Sequence, residues 1–331
     1  MDIREIDPHD KDQVRRHWEI GKAAEDASRP YDFYPPWESA WLTYSEGRED
    51  LKMVLLGAYE GDAMWGAGRI NFTLYDNLHS AFADFHVHPD RQRRGIGRAL
   101  VDAAHTVTRD NGRRVLMTEA FAPPDEDSAG LLFARAMGFE KGLVDGMKVV
   151  DLPATEPTWD EIERECAPRH ADYTIVTWLD RVPEEYVEDY CRLNEAFLEE
   201  APSGEMEFEA ERWDAERVRA REARNARTGR HDISAGAVSP DGALIAITEV
   251  SYNEWAPRRG FQSGTLVASA HRGHRLGLSI KIANQRQLRA LYPDCQVLLT
   301  GNADVNAAMN VVNDALGYRE VERCVEMQKN I

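Results

Sequence analysis

The stretch Val87-His88-Pro89-Asp90-Arg91-Gln92-Arg93-Arg94-Gly95-Ile96-Gly97-Arg98-Ala99-Leu100 joins a short apolar run to the start of a helical pattern. A strand that turns directly into a helix aims several free backbone N–H groups at one point, and the helix dipole adds positive potential there. Gly95 and Gly97 let the backbone approach a ligand closely, and the arginines add formal charge. The stretch therefore predicts a cradle for phosphate, and for a pyrophosphate in particular. The alternative is a basic turn that is exposed to solvent and binds no ligand.

Composition limits the classes of protein to which this chain can belong. Its 331 residues suffice for two domains of ordinary size, and 43% hydrophobic with 30% charged residues is typical of a globular protein. A net charge of −18 argues against nucleic acid or an anionic membrane as partner. The N-terminus shows no signal peptide, and no apolar run approaches the length of a membrane helix. Four scattered cysteines predict reduced thiols, so we expect a cytoplasmic protein: Cys166, Cys191, Cys295 and Cys324.

The chain contains an internal duplication. Residues 87–139 and 267–318 match in order and spacing, and each runs from a strand through a basic turn, a helix, a strand and a short helix to a Gly-aromatic pair. A polar, proline-bearing stretch separates the two copies. We therefore predict a first domain over residues 1–152, a linker over 153–171 and a second domain over 172–331, each of mixed α/β character.

The duplicated turn carries the resemblance to a known family. Gln92 to Gly97 resembles the pyrophosphate signature of the GCN5-related N-acetyltransferase (GNAT) family, Gln/Arg-x-x-Gly-x-Gly/Ala. The second copy, Arg272-Gly273-His274-Arg275-Leu276-Gly277, keeps the first and last positions and has Arg275 at the first glycine. The second half also resembles uncharacterised tandem acetyltransferases of actinobacteria. The resemblance implies an α+β fold with two tandem GNAT-like acyl-CoA N-acyltransferase domains, each a mixed sheet splayed open after its fourth strand and flanked by helices.

The resemblance also implies where the cosubstrate, acetyl-CoA, lies. Its thioester would occupy the gap in the sheet, where a backbone N–H near Val87 or Val267 would polarise the carbonyl. A β-bulge on that strand commonly re-aims such groups. The implied contacts in the first half come from Val87, Gln92, Arg93, Arg94, Gly95, Ile96, Gly97 and Arg98. Those in the second half come from Val267, Arg272, Gly273, His274, Arg275, Leu276, Gly277, Leu278, Asn306 and Asn313.

Acyl transfer to an amine needs a proton acceptor, and the departing thiolate needs a proton donor. The family often uses a tyrosine four residues before the Gly-aromatic pair as the acid, but this chain has Ala134 and Asn313 there. The candidate bases are Asp84, His86 and Glu119 in the first half and Glu249 in the second, although a lone carboxylate in a strand equally fits a solvent-facing position. Asn306 and Asn313 slightly favour the second half for catalysis, since Asp127 in the first half would repel phosphate.

Asp84, His86 and His88 share one strand face with metal-ligand spacing. No further ligand cluster accompanies them, so we expect no metal. The function predicted is acyl-CoA-dependent N-acyl transfer, from acetyl-CoA to the amine of a small molecule. The alternatives are a non-catalytic acyl-CoA-binding or sensor protein and a protein N-acetyltransferase. We expect no nucleic-acid or membrane partner, and a homodimer is one possible assembly.

Overall fold

The computed structural model of the protein describes residues 1–31, 33–200 and 202–331, with the side chains of residues 198 and 199 left out of the description. The chain divides into two compact units, each assembled from separate segments. Unit 1 comprises Met1–Asp145, Ser203–Glu209 and Glu322–Ile331, and unit 2 comprises Gly146–Pro202 and Ala210–Val321. The domains over residues 1–152 and 172–331 and the linker over 153–171 stay predictions. The division of the chain into compact units does not show which stretch folds by itself.

The helices and strands alternate along the chain in two similar series. In chain order they are β1 Asp2–Ile6, α1 Lys11–Ser28, α2 Trp37–Glu46, β2 Leu51–Glu60, β3 Ala63–Thr73, β4 Ser80–Val87, α3 Ile96–Asp110, β5 Val115–Ala122, α4 Ala129–Ala136, β6 Glu140–Asp151, α5 Leu152–Thr155, α6 Trp159–Cys166, β7 Thr174–Leu179, α7 Val187–Glu200, α8 Ala215–Arg227, β8 Arg230–Val238, β9 Leu244–Asn253, β10 Arg259–Val267, α9 Leu276–Leu291, β11 Val297–Ala303, α10 Ala307–Ala315 and β12 Arg319–Asn330. No helix in the described residues is both long and apolar enough to cross a membrane.

The sheet of unit 1 has the strand order β1-β2-β3-β4-β5-β12. Its two faces are covered by different helices. Side chains of α1 and α2, such as Ile20 and Tyr44, pack with Leu55 on one face. Side chains of α3 and α4, such as Leu100 and Leu131, pack with the neighbouring strand residues on the other. The turn at Gly95 therefore opens onto one face of the sheet, and α1 lies on the opposite face.

The sheet of unit 2 has the strand order β6-β11-β10-β9-β8-β7. Helices α7 and α8 contribute Tyr190 and Val218 to the core on one face, and α9 packs on the other with Leu278 and Ile282. The segment predicted as a linker adds to that second core through the fully buried Trp159.

The last strand of each series continues into the unit of the other series: residues 146–151 of β6 belong to unit 2, and residues 322–330 of β12 belong to unit 1. β12 pairs antiparallel with β5 in unit 1, and β6 lies beside β11 in unit 2. The predicted domain boundaries place residues 142–152 in the first half and residues 321–327 in the second. The hydrophobic pattern of a strand shows which face is buried but not which strand lies beside it, so it does not select the neighbour of β6 or β12.

In each unit the sheet opens between its two parallel strands. β4 pairs with β5 only over residues 80–82, and β10 pairs with β11 only over residues 259–261. Beyond Phe82 and Phe261 the parallel ladder ends, while the antiparallel ladders to β3 and β9 continue. Each unit therefore has a gap, bordered by β4 and β5 or by β10 and β11, at the position that the resemblance implies.

Candidate active site

The two turns have the same backbone conformation despite their different sequences. Arg93 and Gly95 have φ of 62° and 84°, and Gly273 and Arg275 have φ of 85° and 55°. Both turns thus place left-handed residues at the second and fourth positions, and each fills one with glycine and one with arginine. Only glycine adopts this conformation without cost, and an arginine pays roughly 1–2 kcal/mol. Arg275 therefore replaces the signature glycine without a change in the course of the chain.

Both turns leave the start of a helix without a side-chain cap. Helices α1, α4, α8 and α10 begin with a capping side chain, but α3 and α9 have none. Within the described chain, the backbone N–H groups of residues 93–98 and 273–278 have no hydrogen-bond acceptor. A helix start with unused N–H groups and a dipole directed at it binds anions. The backbone thus fits the pyrophosphate of acyl-CoA at both turns.

The first residue of each signature ties the turn to the preceding strand. Gln92 Nε2 lies 3.5 Å from the backbone oxygen of Val87, and Arg272 Nε donates to that of Val267 at 3.1 Å. These two side chains therefore act on the strand end rather than pointing freely at a ligand. Arg272 is also paired with Glu200.

The remaining signature side chains divide by burial. Those of Ile96, Leu276 and Leu278 lie in the cores, so these residues offer a ligand only their backbone. The side chains of Arg93, Arg94 and Arg98 are exposed in unit 1, and in unit 2 His274 Nδ1 lies 2.9 Å from the backbone oxygen of Arg169. The first turn therefore offers a ligand the larger number of free cationic groups.

Backbone N–H groups at the strand ends point into the gaps. His88 N–H donates to the Trp65 oxygen at 3.0 Å, and Ala268 N–H donates to the Ile245 oxygen at 2.9 Å. Antiparallel pairing directs the N–H groups of successive residues to opposite edges. The N–H groups of Val87 and Val267 therefore face the edge that the missing parallel neighbour leaves open, where the resemblance implies the thioester.

Two carboxylates oppose each other at the gap of unit 1. Glu119 on β5 is the direct cross-strand partner of Glu326 on β12. Enclosure by the protein, and then the negative charges of Asp84 and Glu326, raise the pKa of Glu119 to about 7, although its side chain is reached by solvent. Burial and the charge of Asp145 raise the pKa of Glu326 to about 7. Within the described residues neither glutamate forms an ion pair with a basic side chain, so this pair is suited to gain and lose protons near neutral pH.

The other candidates of unit 1 are engaged by neighbours. Asp84 accepts two hydrogen bonds from Arg69, and this charge helps to raise the pKa of the guanidinium against the effect of burial. His86 Nε2 lies 3.3 Å from Glu25 Oε1. Burial opposes ionisation of Glu25, but His86 and Arg29 outweigh it and lower the pKa of that carboxyl group. Asp84 and Glu25 therefore each contact a basic side chain, which Glu119 does not within the described chain.

Glu249, the candidate of unit 2, lies in an ion-pair network. Its Oε1 accepts hydrogen bonds from Tyr190 Oη and Arg221 Nη2, both at 2.9 Å, and Ser234 Oγ lies 3.4 Å away. Arg221 Nη2 also lies 3.6 Å from Asp232 Oδ2. Burial, and then the charge of Glu249, raise the pKa of Asp232. A carboxylate oxygen that already accepts from a guanidinium is a weak proton acceptor.

Unit 2 has no carboxylate at the positions that Glu119 and Asp84 occupy in unit 1. Glu119 is the fifth residue of β5, and the fifth residue of β11 is Gly301. In place of Asp84, β10 carries a bulge whose second residue is Gly264. A Cβ atom on Gly264 would lie 2.9 Å from the ring of Phe197, so an aromatic side chain fills this place. The two gaps therefore differ in the chemistry that they offer.

The asparagines of the second half have structural partners. Asn306 caps α10 by accepting from Met309 N–H at 3.2 Å. Asn313 is fully buried, accepts from Lys281 Nζ at 2.6 Å and donates to Asn302 Oδ1 at 2.8 Å. Neither side chain is therefore free to bind the cosubstrate in this conformation.

Asp127, the residue expected to repel phosphate in the first half, is also bound to neighbours. It pairs with Arg135 and Arg323. These two guanidinium groups compensate the charge of Asp127, so Asp127 is not expected to repel a phosphate near α4.

Sequence reasoning did not identify Glu326, Glu25 or Lys281 as site residues. Glu326 lies on a strand that pattern assigns to the other half, so no sequence signal places it beside Glu119. Lys281 lies four residues after Gly277, so both residues lie on the same side of α9. This spacing could have identified Lys281 from the sequence.

Lys281 makes the stability of unit 2 depend on pH. Burial, and then Lys148, lower the pKa of its ammonium to about 7. Between pH 7 and about 10 the unfolded chain binds a proton that the folded chain has lost, so wild-type stability rises with pH. We expect the free energy of unfolding of wild type, relative to that of Lys281→Met, to rise by at most about 1.4 kcal/mol per pH unit in this range. Urea titrations measure this difference, with Lys141→Met at an exposed site as the control. An equal pH dependence in both proteins contradicts the buried neutral lysine.

The described residues contain no group of three or more side chains arranged to hold a metal ion. Of the three candidates on β4, Asp84 binds Arg69 and His86 faces Glu25. The third, His88, accepts from Asp90 N–H through Nδ1 at 3.3 Å. Each of the three side chains therefore has a protein partner.

The chain is similar to known proteins in sequence and in fold. The model of the Acetyltransferase (GNAT) family matches residues 19–139. A tandem GNAT protein from the clavulanic acid biosynthesis pathway, solved without AcCoA, is 26% identical with a TM-score of 0.82, and the match covers 99% of this chain and 98% of that one. No curated protein matches the chain.

Two more distant solved structures share the fold. A GCN5-related N-acetyltransferase from Sphaerobacter thermophilus is 14% identical with a TM-score of 0.64, over 99% of this chain and 95% of that one. A putative acetyltransferase from Pyrococcus horikoshii is 15% identical with a TM-score of 0.57, over 100% and 89%. Together with the family match, these likenesses confirm the predicted fold class of two tandem GNAT-like domains. Residues 19–139 thus match the Acetyltransferase (GNAT) family, and the whole chain is similar in fold to a tandem GNAT protein.

Proposed function

We propose that this protein transfers the acetyl group of acetyl-CoA to the amine of a small molecule, and that the transfer takes place in unit 1. The observation that carries the proposal is the opposed pair Glu119 and Glu326, whose pKa values are both raised to about 7. Glu119 lies on β5, which borders the gap beside β4, and β4 leads into an uncapped turn. A proton acceptor and an anion-binding turn thus serve the same gap.

The raised pKa suits the proton transfer that the reaction requires. An ordinary amine is an ammonium ion at neutral pH and must lose a proton before its nitrogen can attack. Glu119 in its ionised form takes that proton. The amine nitrogen then bonds to the thioester carbonyl carbon, the C–S bond breaks, and CoA leaves as a thiolate. The nitrogen, now bonded to the acyl carbon, gives its second proton to water, and the thiolate takes a proton from water because Ala134 has none to donate.

The chain supports the other demands of the reaction through its backbone and arginines. The N–H of Val87 faces the open edge of β4 and would stabilise the negative charge that develops on the carbonyl oxygen. The free N–H groups of residues 93–98, with the exposed Arg93, Arg94 and Arg98, would hold the pyrophosphate. These groups need no rearrangement when the cosubstrate binds.

A cationic acceptor fits unit 1 better than a neutral or anionic one. Within the described residues, Glu119 and Glu326 have no ion-pair partner, and Asp145 adds to the negative charge that Glu326 experiences. The net charge of −18 gives the whole chain the same preference. The cytoplasmic location and the homodimer stay predictions.

A second function is favoured by the residues of unit 2. It keeps the uncapped turn and the gap, but Gly301 replaces the glutamate and Glu249 is bound by Arg221. We therefore infer that unit 2 binds acyl-CoA without transferring the acyl group. This part of the chain corresponds to the binder or sensor named as an alternative, while unit 1 corresponds to the enzyme.

Release of free thiol from acetyl-CoA tests the proposed reaction. The protein is incubated with acetyl-CoA and a panel of small amines, with acidic and neutral analogues of the same size as matched controls. We expect turnover with at least one cationic amine and none with the analogues. A protein that binds acetyl-CoA but releases thiol with no amine is a binder in both units, and this result contradicts the proposal. Turnover only with peptide termini or lysines supports the protein acetyltransferase instead.

A further inference from the structure

The strand that borders the gap of unit 2 carries an irregularity that its counterpart lacks. β4 pairs with β3 in one unbroken register. In β10, Ser263 and Gly264 together face the single residue Glu249 of β9. Two residues opposite one form a β-bulge, which bends the strand and re-aims its groups. The bulge lies just beyond Phe261, the last residue of β10 that pairs with β11, and so at the start of the gap.

A buried side-chain amide holds this bulge together. Gln262 is 1% exposed and directly precedes the bulge. Its Nε2 donates to the backbone oxygen of Glu249 at 2.7 Å and lies 3.3 Å from that of Ser263 and 3.0 Å from Thr248 Oγ1. Its own backbone oxygen accepts from Thr300 Oγ1 at 3.0 Å. The amide thus supplies a donor to backbone oxygens where the ladder is interrupted.

Only the Nε2 donor of this amide forms hydrogen bonds in the described residues. In the described residues Gln262 Oε1 is buried without a hydrogen-bond partner. An unpaired buried acceptor is unfavourable, so the stabilising contribution of this side chain comes from its N–H groups. The residue at the same place in unit 1, directly after the last paired residue Phe82, is Ala83. Ala83 has no amide, and β4 has no bulge.

The bulge sets the direction of backbone groups that face the gap. Ala268 N–H donates to the Ile245 oxygen on β9, and the regular pairing from Val267 back to Thr265 preserves the alternation. The N–H groups of Val267 and Thr265 therefore lie on the open edge. Thr265 directly follows the bulge, so the position of its N–H depends on the geometry that Gln262 holds.

We propose that Gln262 is the positioning residue by which unit 2 distinguishes acylated CoA from free CoA. This inference rests on the proposed function, in which unit 2 binds acyl-CoA. Gln262 acts through the bulge, which fixes the course of the strand from Thr265 to Val267 and so aims the Val267 N–H at the thioester carbonyl. Free CoA has no carbonyl at this place and gains nothing from the donor.

Paired binding measurements on unit 2 test this role. Gly95→Glu serves as the background, because a carboxylate in the first turn repels pyrophosphate and leaves the second turn unchanged. Dissociation constants for acetyl-CoA and for CoA are measured by calorimetry with and without Gln262→Met. We expect the preference for acetyl-CoA to fall about fivefold, the worth of one hydrogen bond, with the affinity for CoA unchanged. Thr300→Val, which removes a nearby buried hydrogen bond but not the amide, keeps the preference.

A spectroscopic readout on the Gly95→Glu chain does not depend on the folding of a Gln262 variant. Acetyl-CoA labelled with ¹³C at the carbonyl carbon is bound to the Gly95→Glu chain, and its chemical shift is compared with that of free acetyl-CoA. A hydrogen-bonded carbonyl moves downfield, and Gln262→Met returns it toward the free value. An unshifted carbonyl, or an unchanged preference while CoA still binds, overturns the inference and leaves the proposed function standing. A Gly95→Glu chain that binds no CoA overturns the unit 2 site itself.

Discussion

Glu119→Gln lowers kcat/KM for amine acetylation by about 10²- to 10⁴-fold, the range that a general base contributes. The amide keeps the size of the side chain but cannot take a proton. The side chain is exposed to the gap, so the substitution leaves the core intact and separates catalysis from folding. Steady-state thiol release at saturating acetyl-CoA measures the loss.

The pH dependence of the wild-type enzyme follows from the same carboxylates. Glu119 and Glu326 both have a pKa raised to about 7, and only the ionised form accepts a proton. Activity therefore falls as the pH drops below about 7. Since the two groups face each other, the profile reports the titration of the pair rather than of one residue. Glu326→Gln removes a neighbouring negative charge and shifts the acid limb to lower pH.

Glu249→Gln is the variant that discriminates between the two units. If Glu249→Gln abolishes turnover while Glu119→Gln retains activity within about tenfold of wild type, the base lies in unit 2 and the proposal for unit 1 is wrong. If Glu119→Gln abolishes turnover but Glu326→Gln leaves the acid limb of the pH profile unchanged, the two carboxylates do not titrate as a coupled pair.

Arg221→Met lowers the free energy of unfolding of unit 2 by about 3–5 kcal/mol, because it removes the cation beside the enclosed Glu249 and leaves Asp232 only the more distant Arg230, at 3.8 Å. Arg221 contacts Glu249, Tyr190 and Asp232. The pKa of Asp232 is already raised by burial and by Glu249. Lowering the pH protonates the stranded carboxylates, so the deficit shrinks between pH 7 and pH 5.

Two further variants test the origin of this loss. Arg221→Met combined with Glu249→Gln removes a charge from each side and recovers part of the stability. Arg181→Met is the surface control: Arg181 pairs with Glu184 and Glu222 but is 68% exposed, so its loss costs at most about 1 kcal/mol. Equal losses for Arg181→Met and Arg221→Met in urea titrations contradict the account of the network.

Local structure follows closely from the sequence. The apolar run from 80 to 87 predicts β4, which occupies those residues. The sequence also predicts a short helix over 159–166, which is α6, and a helix from Ala99 to Asn111. That helix is α3, and it begins at Ile96 because left-handed Gly95 starts it directly. The neighbours of β6 and β12 were not predictable. Several sheet edges could pair with each strand, and the hydrophobic pattern does not distinguish between those edges.

The candidate site was predictable in its backbone and only partly in its side chains. The turn and the gap follow from the duplicated signature. The choice among carboxylates does not, because it depends on partners far away in sequence. Glu249 is bound by Arg221, and Glu119 acquires its raised pKa from Asp84 and Glu326. The slight preference for the second half rested on Asn306 and Asn313, whose side chains prove to have protein partners.

The central claim is that unit 1 transfers the acetyl group and unit 2 only binds acyl-CoA. Gly95→Glu and Arg275→Glu place a carboxylate at the same left-handed position of the two turns, and Gly95→Ala controls for the strain without the charge. Native mass spectrometry counts bound CoA per chain, and thiol release measures turnover of the same samples. We predict two CoA molecules on wild type and one on each glutamate variant, with turnover lost only in Gly95→Glu. Turnover that survives Gly95→Glu and disappears in Arg275→Glu contradicts the claim.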